Sequence, residues 1–171
     1  MLNNIKRTIK GIKLQYKLIK GMKEDNNNNI FYTSEINEQG FIQRNNTRTL
    51  LNNNACVAGV TVVLMGTQYI PCIFTDALFN EMSKEGQEFI IQHELGHFKY
   101  QLNSLLTGEG RTIDNEIEAD LNAVDVLGYE QTIKGLEELR DIVDIVTFGK
   151  NEYGINEIEK RIEYVKSLAN A

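Results

Sequence analysis

Apolar residues recur three and four apart at Leu2, Ile5, Ile9, Ile12, Tyr16 and Ile19. That is the period of one helix face, and it predicts an amphipathic helix over residues 1–24. Glu24-Asp25 and Asn26 to Asn29 end it with turn-forming residues. From 30 to 75 the pattern changes to short apolar runs, which predict strands. Ile30-Phe31-Tyr32-Thr33 and Phe41-Ile42-Gln43 flank Gly40, while Asn45-Asn46 and Asn52-Asn53-Asn54 mark loops. Cys56 to Met65 is apolar and rich in β-branched residues, which predicts a buried strand. Gly66-Thr67-Gln68 reads as a tight turn that makes a hairpin with Tyr69–Phe74. Pro71 cannot donate to a ladder, so it predicts an edge strand.

Beyond residue 75 the helical period returns. Thr75 or Asp76 is placed to cap a short helix through Met82, and Ser83 to cap one over 84–102. On the longer helix, Ile91, Leu95, Phe98 and Leu102 form the expected core stripe. Gly96 costs about 1 kcal/mol there relative to Ala, which predicts close approach of the sheet or of a substrate backbone. Asn103 to Arg111 reads as a loop bordering a cleft. Thr112 caps a helix over 113–128 that ends near Gly128. Two structural helices are expected within 130–169. Their stripes are Ile133, Leu136, Leu139 or Arg140, Val143 and Val146, then Ile155, Ile158, Ile162, Val165 and Leu168, separated by Gly149 to Gly154. The class is α+β, in one domain spanning residues 1–171.

Composition narrows the function classes. The 171 residues are 42% hydrophobic and 25% charged, ordinary for a globular chain. No apolar run approaches the roughly 18 residues that span a bilayer, and no secretory h-region is visible, so the expected location is cytoplasmic. Cys56 and Cys72 are read as buried, reduced thiols. Net charge is −6 but unevenly spread. Residues 1–23 hold seven Lys/Arg and no acid, whereas the rest carries eleven Lys/Arg against twenty-four Asp/Glu, a net −13. An acidic body disfavours nucleic acid as a partner. Three readings of the basic helix over 2–23 stay open: a backing helix behind the sheet, a membrane-surface or partner contact, and an inhibitory pro-segment.

Candidate chemistry centres on Gln92-His93-Glu94-Leu95-Gly96-His97-Phe98, which contains H-E-x-x-H and the only two histidines. Residues four apart share a helix face, so both imidazoles can reach one Zn²⁺ at about 2.0–2.1 Å. Glu94 sits where a carboxylate can take a proton from an activated water. A catalytic zinc site has three protein ligands, and no third histidine exists. Asn115-Glu116-Ile117-Glu118-Ala119-Asp120 supplies carboxylates, with Glu116 and Asp120 on one helix face. Glu118, about 200° around from Glu116, is kept as an alternative ligand.

These motifs resemble the gluzincin metallopeptidases, the clan that includes thermolysin. There H-E-x-x-H on one helix is followed by a glutamate ligand on a later helix, with an aspartate four residues on. The resemblance implies His93, His97 and Glu116 as ligands, Glu94 as general base and Asp120 as hydrogen-bond acceptor for His93. Over roughly residues 55–130 the chain is similar to HtpX-like catalytic domains and, in length, to the minigluzincins. The segments that carry this are Tyr69 to Phe79, Ser83 to Tyr100 and Glu116 to Gly128. Glu159-Lys160-Arg161-Ile162-Glu163 resembles an Arg-Ile segment near the end of such domains. The fold implied is zincin-like: a small mixed sheet over an active-site helix and a glutamate helix, with backing and C-terminal helices. An edge strand would pair with extended peptide. Family members add a Tyr or His as oxyanion donor; with no histidine to spare, Tyr100, Arg111, Tyr129 and Tyr153 are the candidates.

The function expected is hydrolysis of peptide bonds in a peptide or protein substrate, with zinc as cofactor. The alternative is a zinc-binding but catalytically silent regulatory protein on the same scaffold. Oligomeric state is not encoded in these patterns.

Overall fold

The computed structural model describes residues 2–24, 30–45 and 57–171. Within them lie six helices and a three-stranded sheet, a mixed α+β architecture. Helix α1 (Leu2–Glu24) comes first, and β1 (Ile42–Asn45), β2 (Ala58–Met65) and β3 (Gln68–Thr75) follow. Then come α2 (Lys84–Tyr100), α3 (Leu102–Thr107), α4 (Ile113–Leu127), α5 (Tyr129–Val146) and α6 (Glu152–Ala169). No helix among the described residues is long and apolar enough to cross a membrane. The loop expected at Asn52–Asn54 and the thiol of Cys56 lie outside the described residues.

The hairpin expected from Gly66-Thr67 forms, with β2 and β3 antiparallel in register from Ala58↔Thr75 to Met65↔Gln68. β1 joins the other side of β3 in parallel, giving the order β1-β3-β2. Pro71 therefore lies in the central strand rather than at an edge. It is tolerated because it pairs only with Val62; β1 begins its own pairing one residue later, at Cys72. Period-two alternation splits the sheet into two faces. Val60 and Ile73 join the main core under the helices, while Ile42, Cys72 and Phe74 form a second cluster with Phe31 and Ile36. Cys72 is a fully buried free thiol whose pKa burial pushes up to about 11. β2 is only partly buried, with Leu64 exposed. Residues 30–33 are not a strand. A 3-10 turn, Thr33–Glu35, replaces it because Glu35 accepts from the Tyr32 N–H at 2.7 Å and is clamped by Arg44.

The caps expected for the helices hold. Ser83 Oγ accepts from Gly86 N–H at 3.0 Å, and Thr112 Oγ1 from Asn115 N–H at 3.3 Å. Asp76 Oδ1 accepts from the N–H groups of Leu78 and Phe79, but the helix it caps is only a 3-10 turn, Phe79–Glu81. Residues 103–111 are not all loop, because α3 occupies their first half. α2 ends two residues sooner than expected, where Gln101 leaves helical geometry at φ −127°, ψ 30°. The buried face of α2 is wider than the expected stripe: Ile91 lies in the core with Leu95 and Phe98 packed against it, and Phe89, Ile90, His93, Glu94 and His97 are buried as well.

α1 departs most from its sequence pattern. Its buried face is Gly11, Leu14 and Leu18, and the expected stripe, Ile5, Ile9, Ile12, Tyr16 and Ile19, is exposed. The helix packs on α5 rather than behind the sheet. A side chain at Gly11 would collide with the Ile145 carbonyl at 2.7 Å, so close contact there requires glycine. Gln15 Nε2 donates to the Val146 carbonyl at 2.9 Å. Arg7 pairs with Asp144 and Lys17 with Glu81.

Candidate metal centre

α2 and α4 cross face to face, and small residues set their separation. A Cβ at Gly96 would lie 2.8 Å from both Cα and O of Ala119. The glycine thus admits neither the sheet nor a substrate but the second helix, and Ala119 and Ala123 answer it on α4. Asn122 ties the pair by donating Nδ2–H to the Gln92 carbonyl at 2.8 Å. On α4, Glu116, Ala119, Asp120 and Ala123 follow the i, i+3, i+4, i+7 spacing of one helix face, which carries Glu116 to the two histidines.

The hydrogen bonds assign the imidazole protons. His93 Nδ1 lies 2.8 Å from Asp120 Oδ1. Arg161 donates to both oxygens of Asp120, from Nε and Nη2, each at 2.7 Å. Burial would raise the Asp120 pKa, but this fork and the His93 bond hold it below the usual range. Asp120 is thus an acceptor and His93 Nδ1 the donor. His97 Nδ1 lies 2.8 Å from Gln101 Oε1. Gln101 Nε2 donates to the Asn115 carbonyl at 2.7 Å and to Glu118 Oε2 at 3.3 Å, so its oxygen must face the ring. Both rings therefore carry hydrogen on Nδ1 and present the Nε2 lone pair.

The two Nε2 atoms are 3.1 Å apart. Glu116 Oε2 is 3.3 Å from His93 Nε2, and Glu116 Oε1 is 3.5 Å from His97 Nε2. When both rings are neutral four acceptors converge, an arrangement that repels itself unless a cation is bound or a proton is shared, and His93 Nε2 is the atom that takes that proton. The titration behaviour has the same cause. Burial opposes a charge on His93, yet its bonds to Asp120 and Glu116 raise its pKa to about 9. Burial and the neighbouring His93 charge lower His97 to about 3. Burial is outweighed at Glu116 by His93 and Arg161, which hold its carboxyl well below the usual range. His93, His97 and Glu116 could together hold a metal ion, with ligand atoms within 4.8 Å of one another. Glu118 does not join them; it faces Gln101.

Glu94 is buried beside this cluster, and burial pushes its pKa up. Its Oε2 has no hydrogen-bond partner among the described residues, and the nearest cation is Arg111 Nη2 at 3.9 Å. Both line a cavity of about 390 Å³ with His93, Glu116 and Arg161, walled by Ile90, Leu139, Val143 and Ile158. Of the four oxyanion candidates, Arg111 and Tyr153 line this cavity, whereas Tyr100 and Tyr129 do not. Arg111 Nη1 also lies 3.9 Å from Glu116 Oε1. The Tyr153 hydroxyl is bonded to Glu157 at 2.7 Å.

Two residues at this centre have no role assigned from the sequence, although Arg161 lies in the segment that resembles the Arg-Ile stretch of HtpX-like domains. Arg161 sits on a helix expected to be purely structural, yet it is buried with Ile158, Ile162 and Val165. A lone cation in phase with that apolar stripe is the signal that marks it. Gln101, four residues after His97, carries a weaker signal of the same kind. No family model matches the chain, and neither a curated protein nor a solved structure matches it.

Proposed function

We propose that the chain is a zinc-dependent metallopeptidase of the gluzincin type on a zincin-like scaffold. The observation that carries this is the convergence of His93, His97 and Glu116 as possible ligands beside the buried Glu94, whose Oε2 has no hydrogen-bond partner among the described residues. Ligand atoms about 2.0–2.2 Å from a tetrahedral zinc lie roughly 3.3–3.6 Å apart. The two Nε2 atoms, 3.1 Å apart, are close to that edge length, and the Glu116 carboxylate sets one oxygen 3.3 Å from His93 and the other 3.5 Å from His97. Two nitrogens and a carboxylate are also a ligand set zinc accepts.

Zinc held there would supply Lewis acidity, acidifying a water and polarising the scissile carbonyl. Glu94 takes the proton of the attacking water and passes it to the leaving amine. Its raised pKa suits both halves of that transfer. Asp120 and Gln101 fix the imidazole orientations, and Arg161 keeps Asp120 ionised. Arg111 faces the cavity with a charge that can stabilise an oxyanion. The apolar wall beside it gives a peptide side chain a place to sit.

Elemental analysis of purified protein tests the reading, with Glu116→Ala alongside. About one zinc per chain in the parent and far less in the variant is expected, together with cleavage of a peptide library by the parent. No zinc after reconstitution overturns the metal site. Zinc without cleavage of any peptide leaves the silent regulatory reading, which the engaged Tyr153 hydroxyl favours.

A further inference from the structure

The outer face of α1 has no role in the site just described. Ile5, Ile9, Ile12, Tyr16 and Ile19 are each about half exposed or more, with Tyr16 at 67%. At about 100° per residue this row is turned roughly 150° from the face that holds Gly11, Leu14 and Leu18. It therefore points directly away from the domain. Lys6, Lys10 and Lys13 lie exposed along one flank, which Lys17, paired with Glu81, and Lys20 continue. Asn4, Thr8 and Gln15 fall on the other flank, and no acid precedes Glu24 on the helix.

We propose that α1 lies in the headgroup region of an anionic phospholipid bilayer. The isoleucines and Tyr16 would enter the acyl boundary while the lysines meet lipid phosphates and carboxylates. The chemistry that recognises such a surface is an apolar row beside a cationic one on a single helix. Charge complementarity separates this occupant from the alternatives. Two copies of the chain joined row to row would set each lysine flank against the other or against Asn4, Thr8 and Gln15, with no acid before Glu24 to answer it. The remainder of the chain, at −13, is repelled by the same bilayer. Contact is thereby confined to α1. The proposal is independent of whether the metal centre hydrolyses anything.

Co-sedimentation of the full chain with vesicles tests it. The vesicles are phosphatidylcholine alone, or phosphatidylcholine with about one third phosphatidylserine. Binding to the anionic vesicles, weakened by salt and negligible on neutral ones, is the expected result. The pair Ile9→Asp with Ile12→Asp, and the triple Lys6→Glu, Lys10→Glu, Lys13→Glu, should each lower partitioning at least about tenfold. These side chains are exposed, and circular dichroism confirms that the variants are folded. Absence of parent binding overturns the proposal. So does binding that the aspartate pair leaves unchanged, because that is diffuse charge attraction only. A parent dimer that the aspartate pair dissociates, with no vesicle binding, assigns the face to a second copy instead.

Discussion

The centre at His93 and the outer face of α1 reverse the ordinary placement of side chains in opposite directions. Around His93 the ionisable groups His93, Glu94, His97, Asp120 and Arg161 are all buried. On α1 five large apolar side chains stand in solvent. Burying charge is costly unless each group finds a partner, and here Arg161 answers Asp120 and Glu116 while one oxygen of Glu94 accepts no hydrogen bond among the described residues. Scattered apolar residues at a surface are ordinary, but five in one row are not scattered.

The contrast is sharpest at Glu94. Glu94→Gln should lower peptide hydrolysis by about 10²–10⁴-fold, the usual worth of a general base, while zinc content stays at the parent level. Retained turnover, measured on a cleaved library peptide, would sink the mechanism. Next comes Arg161→Met, which strands the buried carboxylate of Asp120. Removing one partner of such a pair costs about 3–5 kcal/mol, and loss of support for His93 should weaken metal affinity by about 10–100-fold. Denaturant unfolding and a chelator competition read the two effects; unchanged affinity would reduce Arg161 to a structural residue.

A smaller difference separates the two faces of α1. Leu14, 3% exposed, should cost about 2–5 kcal/mol when cut to Ala. Ile12, 56% exposed, should stay within about 0.5 kcal/mol. Equal losses in urea melts would show that the exposed row is covered in solution. The last prediction concerns Asp76, whose second oxygen is buried and has no partner among the described residues. Burial raises its pKa from 3.8 to about 7, so the folded protein holds a proton that the unfolded chain releases. Stability contributed by that proton is lost as pH climbs through this window and changes little above it. Asp76→Asn abolishes the slope; its stability relative to the parent should therefore improve from pH 5 to pH 8, and parallel profiles would refute the assignment.

What could be read in the chain beforehand was whatever is written locally. The caps at Ser83 and Thr112, the hairpin at Gly66-Thr67 and the helical phase of His93, His97, Glu116 and Asp120 all depend on neighbours within a few residues. The rest depends on which surfaces meet. α1 carries apolar residues on two faces, and periodicity reports that a face is apolar without saying that it is covered. The stronger row, at Ile5 to Ile19, drew the expectation, while Gly11, Leu14 and Leu18 make the contact. Pro71 reads as an edge residue because its neighbours cannot be counted from sequence; in the sheet it is central yet flanked on one side only. Arg161 and Gln101 act across helices, and no local pattern names their partners.

The reach of Arg161 bears on when the centre comes into being during synthesis. It lies 68 residues beyond His93 and 41 beyond Asp120. At about 5–20 residues per second, a ribosome delivers it roughly 2–8 s after Asp120. Through that interval the growing chain has His93, Glu116 and Asp120 but not the guanidinium that answers the two carboxylates. The buried Asp120 carboxylate is thus left without its Arg161 partner until α6 arrives.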